Sequence, residues 1–155
     1  MSDVAVHLRQ VEPLMNTLHI QRYSKTGVVD AWETLLPLLE RGRAAWEEYY
    51  TLEDVRKDLV EGKLQFWSMD YTDEKKPFLG FITGIETYTQ KCALRIIWLG
   101  GERFAEASKV MFDAVEAWAR TLNCKNIEIV GRGGFERLLK PYGYKRTHVI
   151  LTKEL

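Results

Sequence analysis

The sequence predicts an α/β (α+β) domain, in which a mixed, mostly antiparallel sheet carries helices on both faces. Three apolar and aromatic runs, over residues 64–71, 78–88 and 91–99, follow one another with short polar turns between them. Such runs are typical of antiparallel strands. A long amphipathic segment over residues 103–122 then precedes a short β-like run over residues 126–130. Since a helix joins these last two runs, we expect 91–99 and 126–130 to form a parallel pair.

The bulk properties indicate one ordinary globular domain over residues 1–155. The chain of 155 residues is long enough for one core, and no repeat or linker divides it. No apolar run approaches the roughly 20 residues that cross a bilayer, and the first residues lack the apolar core of a signal peptide, so we expect an intracellular protein without a membrane segment. The net charge of zero makes nucleic acid an unlikely partner. Cys92 and Cys124 lack metal-ligand spacing, and we predict two reduced thiols and no metal site.

In the N-terminal part, local patterns predict a strand and a helix. Residues 4–11 alternate loosely between apolar and polar side chains, as an opening strand would. Residues 28–41 place apolar side chains at helical spacing. Asp30 is the expected N-cap of this helix, and we expect Pro37 to kink or split it.

Two further helices and a last strand complete the predicted order of elements. Residues 51–54 (TLED) form a capping box that opens a helix to about Val60, and Gly62 closes it. A short helical stretch ends at Tyr142, and a final β-like run follows Gly143 and Tyr144.

This order of elements resembles the GNAT superfamily, the Gcn5-related N-acetyltransferases, over essentially the whole chain. In that family a Gln/Arg-x-x-Gly-x-Gly/Ala turn opens the long helix, and its backbone N–H groups hold the pyrophosphate of acetyl-CoA. Aligning the helix bodies places Arg103 at the first position, Glu106 at the first glycine and Ser108 at the second. Because Glu106 adds bulk and negative charge where the family binds an anion, we expect acetyl-CoA to bind weakly or not at all.

If acetyl-CoA does bind, the resemblance implies a site at the end of the third strand of the meander and the start of the long helix. Its residues would be Trp98, Leu99, Gly101, Arg103, Ala105 and Ser108. A non-catalytic role requires no cofactor, whereas an acetyltransferase would need acetyl-CoA.

The resemblance also indicates where catalytic groups would lie. The position of the family's acidic tyrosine falls on Leu139, which cannot donate a proton. Tyr142, three residues further on, is the only hydroxyl near that position, and packing is the alternative role for it. Glu86 is the one carboxylate inside the apolar run 78–88 and is the candidate base, the alternative being a solvent-facing carboxylate. Glu86 and Tyr142 are therefore catalytic candidates only if the protein is active.

Charge is unevenly distributed along the chain. Residues 1–102 carry a net charge of −4 and residues 103–155 a net charge of +4. Five cations surround the single acid Glu136, and they are Arg132, Arg137, Lys140, Lys145 and Arg146. This cluster predicts contact with an acidic or phosphorylated protein partner, with an ordinary solvated surface as the alternative. Assembly into an oligomer stays open.

The segment GRGGFERLLK and the tail YGYKRTHVILTKEL also resemble small GNAT-like proteins of tailed bacteriophages, some of which are virion or assembly components. We therefore favour a degenerate, non-catalytic GNAT-fold protein of phage type, a pseudoenzyme that acts through protein–protein contacts in the host cytoplasm or in the virion. The alternative is an acetyl-CoA-dependent N-acetyltransferase with an atypical pyrophosphate-binding turn. A third hypothesis is a binding module for an acyl-CoA or another phosphorylated ligand.

Overall fold

The computed structural model describes residues 5–10, 17–46, 49–74, 76–131 and 134–155, with the backbone alone for 5–10 and 43–46. In chain order the elements are β1 (Ala5–Gln10), β2 (Leu18–Tyr23), α1 (Lys25–Trp46), α2 (Leu52–Glu61), β3 (Leu64–Tyr71), β4 (Leu79–Thr87), β5 (Cys92–Gly101), α3 (Phe104–Thr121), β6 (Asn126–Ile129), α4 (Gly134–Leu139) and a 3₁₀ helix (Lys140–Tyr142). No helix in these ranges is long and apolar enough to cross a membrane.

The strands form one six-stranded sheet in the order β1-β2-β3-β4-β5-β6. The first four pairings are antiparallel, and β5 pairs with β6 in parallel. The predicted meander, the parallel pair and the mostly antiparallel mixed sheet are therefore confirmed.

Each face of the sheet has its own core, because successive side chains of a strand point to opposite faces. Phe66 and Ile82 pack with α1 and α2 on one face, and Trp67 packs with α3 on the other. We refer to these as the α1/α2 face and the α3 face. The predicted placement of helices on both faces is confirmed.

The first helix is continuous over Lys25–Trp46 and is not capped by the predicted residue. Asp30 lies inside α1 and does not cap it. Ser24 is the cap, since its hydroxyl accepts from the Gly27 amide at 3.1 Å and its carbonyl from the Val28 amide at 2.9 Å. Pro37 does not split the helix. It lies on the exposed side, where water can satisfy the carbonyl group that loses its amide partner.

The second helix is capped as predicted, whereas β2 was not predicted. Thr51 Oγ1 accepts from the Asp54 amide at 3.1 Å, and Gly62 closes α2 at φ 82°. In β2 only Ile20 is fully buried, so the strand carries too weak an apolar alternation to be recognised.

The expected final strand is not formed. Residues 145–155 run without a turn and pair with no described strand, and all of their side chains are exposed. Tyr144 packs against Phe112 at 5.3 Å between ring centroids, and Arg146 then bonds Glu136 of α4 at 2.6 Å. These contacts hold the start of the tail beside α4, and among the described strands β6 pairs with β5 alone.

Candidate functional site

The pairing between β5 and β6 stops partway along β5, and we call the region beside β5 beyond the last pair the gap. The two strands are paired from Ala93↔Asn126 to Ile96↔Ile129, after which β6 ends and β5 continues to Gly101. The register between β4 and β5 also shifts here, leaving Ile97 as an extra residue on β5. Such a bulge bends and twists its strand. The β5 edge beyond Ile96 therefore has no strand beside it within the described ranges.

The N-terminus of α3 lies at the mouth of this gap. Gly101 has φ 129°, and a Cβ there would come within 2.3 Å of the Phe78 carbonyl oxygen, so the turn requires glycine. Arg103 follows as the N-cap residue with φ 59°, and its carbonyl accepts from the amides of Glu106, at 3.1 Å, and Ala107, at 3.2 Å. The amides of Phe104 and Ala105 belong to the first turn of α3, where no carbonyl of the helix can accept from them. They and the helix dipole make this turn suitable for an anion.

The carboxylate of Glu106 is held on the side of α3 away from the gap. The Tyr71 hydroxyl donates to Glu106 Oε2 at 2.6 Å, a bond that raises the pKa of Tyr71 to about 12. Tyr71 ends β3, which is three strand spacings, or about 14 Å, from β6. Arg103 is likewise directed to the β3 side by Glu74, at 2.8 Å, and this bond raises the pKa of Arg103.

The opposite side of the helix start contacts the segment that follows β6. Ser108 is buried and its hydroxyl bonds both the Ala105 carbonyl, at 3.3 Å, and the Tyr142 hydroxyl, at 2.5 Å. Phe104 meets Phe135 of α4 edge to face, with 6.4 Å between ring centroids. The first turns of α3 therefore rest directly on α4 and the 3₁₀ helix.

Leu139, at the family's acid position, and Tyr142, the candidate hydroxyl, both lie on the α3 face. Leu139 is a core residue on the α3 face, with only 4% of its surface exposed. Tyr142 packs on Phe112 at 4.9 Å between ring centroids and uses its hydroxyl on Ser108. Tyr142 thus reaches α3 although it is three residues beyond the expected position.

Glu86 belongs to a polar cluster on the α1/α2 face. Arg95 contacts Glu86 at 3.6 Å and Glu128 at 3.0 Å, and the Tyr88 hydroxyl donates to Glu128 at 2.9 Å. Partial burial lowers the pKa of Arg95, but the Glu128 bond and the Glu86 charge outweigh it and the pKa is raised. The register places Glu86 opposite Ala93, so it lies about 10 Å along β5 from Ile96.

The structure thus brings together part of the predicted site. Gly101, Arg103, Ala105 and Ser108 surround the start of α3, and Tyr142 joins them. Leu99 packs on the α3 face, whereas the Trp98 side chain is buried on the α1/α2 face. Arg95, Tyr88 and Glu128 were not expected from the sequence. The only signal for them is the pairing register, which places Arg95 directly beside Glu128.

The described members of the basic cluster lie on α4, the 3₁₀ helix and the tail. Four of its members and Glu136 line an open depression of about 700 Å³ between α4 and the tail, and they are Arg137, Lys140, Lys145 and Arg146. Arg132 lies outside the described residues. Within the described part of the chain, no group of three or more His, Cys, Asp or Glu side chains is placed to hold a metal ion.

No protein-family model matches the sequence, and no curated protein matches it either. Solved structures match over most of the chain. The aminoglycoside N-acetyltransferase AAC(6')-Iy in complex with CoA has a TM-score of 0.65 at 12% identity, covering 94% of this chain and 99% of that one. Glucosamine-6-phosphate N-acetyltransferase from Arabidopsis thaliana has a TM-score of 0.64 at 12% identity, over 89% and 98%.

A predicted acetyltransferase from Clostridium acetobutylicum with acetyl-CoA gives a TM-score of 0.59 at 16% identity, covering 88% of this chain and 96% of that one. These structural neighbours identify the fold. The chain has the fold of the GNAT acetyltransferases, as the resemblance implied.

Proposed function

We propose that the protein is an acetyl-CoA-dependent N-acetyltransferase that binds its cofactor in the gap between β5 and β6. The observation that carries this proposal is the unpaired β5 edge beside the N-terminus of α3. The pantetheine arm of the cofactor is extended and contains amide groups, so it can bond to that edge as a strand would. Its pyrophosphate can accept from the amides of Phe104 and Ala105. CoA and acetyl-CoA are present in two of the similar structures, which supports the proposal.

The residues at the turn fit an anionic ligand better than the sequence suggested. Glu106 is the only acid in the first turn of α3, and its side chain is occupied by Tyr71 on the β3 side. The Ser108 hydroxyl lies nearer α4 and could bond a phosphate or a pantetheine amide in exchange for Tyr142. Acetyl-CoA supplies an acyl group activated as a thioester, and the protein must position an amine and accept its proton.

The polar cluster on the α1/α2 face supports a role in handling that amine. Glu86 and Glu128 lie on the side of the sheet opposite α3, so an amine could approach the end of the gap from there. Two carboxylates around one arginine suit a cationic amine, the class to which aminoglycosides belong. We assign Glu86 as the group that accepts the amine proton, and Tyr142 as the hydroxyl available to protonate the departing thiolate.

Cofactor binding is tested with two matched glutamate substitutions in α3. Ala105→Glu adds negative charge at the proposed phosphate site, whereas Ala117→Glu adds the same charge at an exposed position three turns away. A dissociation constant of about 10 µM would give a stabilisation of about 2.7 kcal/mol at 1 mM acetyl-CoA, and a rise in Tm of roughly 5–10 °C. We expect this rise in the unaltered protein and in Ala117→Glu, and its loss in Ala105→Glu. If 1 mM acetyl-CoA leaves the Tm of the unaltered protein unchanged, the proposal is wrong.

Turnover is tested by following release of free CoA with a panel of amines that includes aminoglycosides and amino-sugar phosphates. Glu86→Gln should lower the rate about 10²–10⁴-fold while leaving acetyl-CoA binding intact. Glu116→Gln, a carboxylate of α3 paired with Arg120 on the surface, is the matched control. Full turnover by Glu86→Gln would remove the assignment of this residue.

The second candidate is the non-catalytic phage-type protein, acting through protein contacts. It is favoured by the burial of Leu139 at the family's acid position and by the direct contact of Phe104 with Phe135. In that case the exposed Arg137, Lys140 and Lys145 would contact an acidic partner. The protein would then be located in the host cytoplasm or in the virion. Reversing those three charges should weaken partner binding and reduce its salt dependence. Absence of acetyl-CoA binding together with such an effect would favour this candidate over the enzyme.

A further inference from the structure

The two cysteines of the chain lie side by side in the structure. Cys92 is the first residue of β5, and Cys124 lies in the short segment between α3 and β6. They are 32 residues apart in sequence, yet their Sγ atoms are 3.0 Å apart. Both are free thiols. A disulfide joins two sulfurs at about 2.05 Å, so these two need to approach each other by only about 1 Å to become linked.

The backbone around the two thiols is already held in place. The Lys125 amide donates to the Cys92 carbonyl at 3.0 Å, and the Cys124 amide donates to the Ala119 carbonyl at 3.0 Å. The parallel pairing of β5 with β6 begins directly after these bonds. Because the two segments are fixed against each other and the sulfurs are in contact, a cross-link at this point requires no rearrangement of the strands.

The two thiols differ in their access to solvent. Cys92 is partly exposed, and residues 87–91, which precede it, are exposed. Cys124 is buried, and this burial together with the neighbouring Cys92 raises the pKa of Cys124 to about 11. Since the thiolate is the attacking form in disulfide exchange, Cys124 is held back by its proton and by its burial. Cys92 is therefore the thiol that an oxidant in solution meets first.

We propose that Cys92 and Cys124 are a redox modification site, at which they form a reversible disulfide with each other. The oxidant is a low-molecular-weight disulfide such as glutathione disulfide. The Cys92 thiolate attacks one of its sulfurs, the S–S bond of the oxidant breaks, and one glutathione leaves as a thiolate that takes up a proton. Cys124 gives its proton to solvent, attacks Cys92 Sγ in the mixed disulfide and releases the second glutathione. The protein thiols lose two protons and two electrons, and the two glutathione thiols carry them away.

The disulfide closes residues 92–124 into a ring. This ring contains β5, the turn that opens α3, and α3 itself. A cross-link restricts the unfolded chain, so oxidation stabilises the fold and ties the C-terminal end of α3 to the sheet. A thiol reductant reverses the effect by opening the bond. This inference does not depend on the acetyltransferase proposal.

The first test treats the reduced full chain with glutathione disulfide and follows it by intact mass spectrometry. The unaltered protein should lose about 2 Da, retain no glutathione, and regain the mass with dithiothreitol. The oxidised form should have a Tm about 5–15 °C above that of the reduced form. A glutathione adduct that persists on the unaltered protein, or disulfides formed only between chains, would overturn the proposal. An internal disulfide that leaves the Tm unchanged or lower would refute the stabilising role of the ring.

The second test uses two matched single variants to identify the order of the reaction. Cys124→Ser should stop at the mixed disulfide of glutathione with Cys92, because no second thiol is present to displace it. Cys92→Ser should acquire little glutathione, because its one remaining thiol is buried. Equal adduct yields on the two variants would overturn the assignment of Cys92 as the first thiol to react. The mass of the unaltered chain decides whether the disulfide forms, even if serine at position 124 lowers stability.

Discussion

Substituting Gly100 tests how α1 fixes the end of β5, and therefore the position of the turn that opens α3. A Cβ at Gly100 would lie 2.3 Å from the Leu38 carbonyl oxygen and 3.1 Å from the Gly42 amide nitrogen. Both of these atoms belong to the backbone of α1, so no side-chain rotation can relieve the contact. Gly100→Ala should force helix and strand apart by about 1 Å, and such overpacking costs about 2 kcal/mol or more.

The assay is urea unfolding, followed by tryptophan fluorescence and by circular dichroism. With a slope of about 2 kcal/mol per molar urea, the midpoint should fall by about 1 M. Gly134→Ala is the matched control, because no atom lies within 4 Å of the added methyl group there. Its midpoint should stay unchanged or rise slightly. An equal midpoint for Gly100→Ala and the unaltered protein would show that α1 does not rest on β5 at this point.

Three further predictions concern the site and its surroundings. The pKa of Tyr71 is raised to about 12, above its unfolded value of about 10. The Glu106 bond therefore stabilises the fold below pH 10, and this contribution is lost between about pH 10 and 12. A difference absorbance titration against Tyr71→Phe measures this pKa, and ionisation of Tyr71 near pH 10 would contradict the prediction. Glu106→Gln removes the negative charge in the first turn of α3 and should increase affinity for CoA. Calorimetry showing no gain in a folded variant would count against the placement of the phosphate at this turn. Burial and the neighbouring Cys92 raise the pKa of Cys124 to about 11. Iodoacetamide should therefore label Cys124 slowly at pH 7.5, because the thiolate is the reactive form. Labelling at the rate of a free, exposed thiol would contradict this prediction.

Most of the fold was predictable, because the elements that face a core carry strong local patterns. Strand β3 begins and ends at the predicted residues, and the ends of α2 follow from Thr51 and Gly62. Local patterns failed where partners decide the structure. The tail has the alternation of a strand but pairs with no strand among the described residues. At α1, Asp30 had the right residue type for a cap, yet Ser24 provides it one turn and a half earlier.

The candidate site was less predictable, because its geometry depends on contacts that are distant in sequence. The motif marks the turn over residues 103–108, but the contact that holds the Glu106 carboxylate comes from Tyr71, 35 residues away in sequence. The clustering of Glu86 with Arg95 and Glu128 likewise depends on the register of three strands. The sequence supplied the candidate residues, and the pairing of the strands decides which of them meet.

The division of the sheet between two cores bears on how the protein unfolds. Phe66 and Trp67 are neighbours in β3, both are fully buried, and they belong to different cores. If either helical layer separates from the sheet, one face of the strands is exposed to water. The other layer packs on the opposite face of the same strands, so it loses its support as well. Hydrogen exchange in β3 and β4 should accordingly report a single global opening, and the two layers should behave as one cooperative unit.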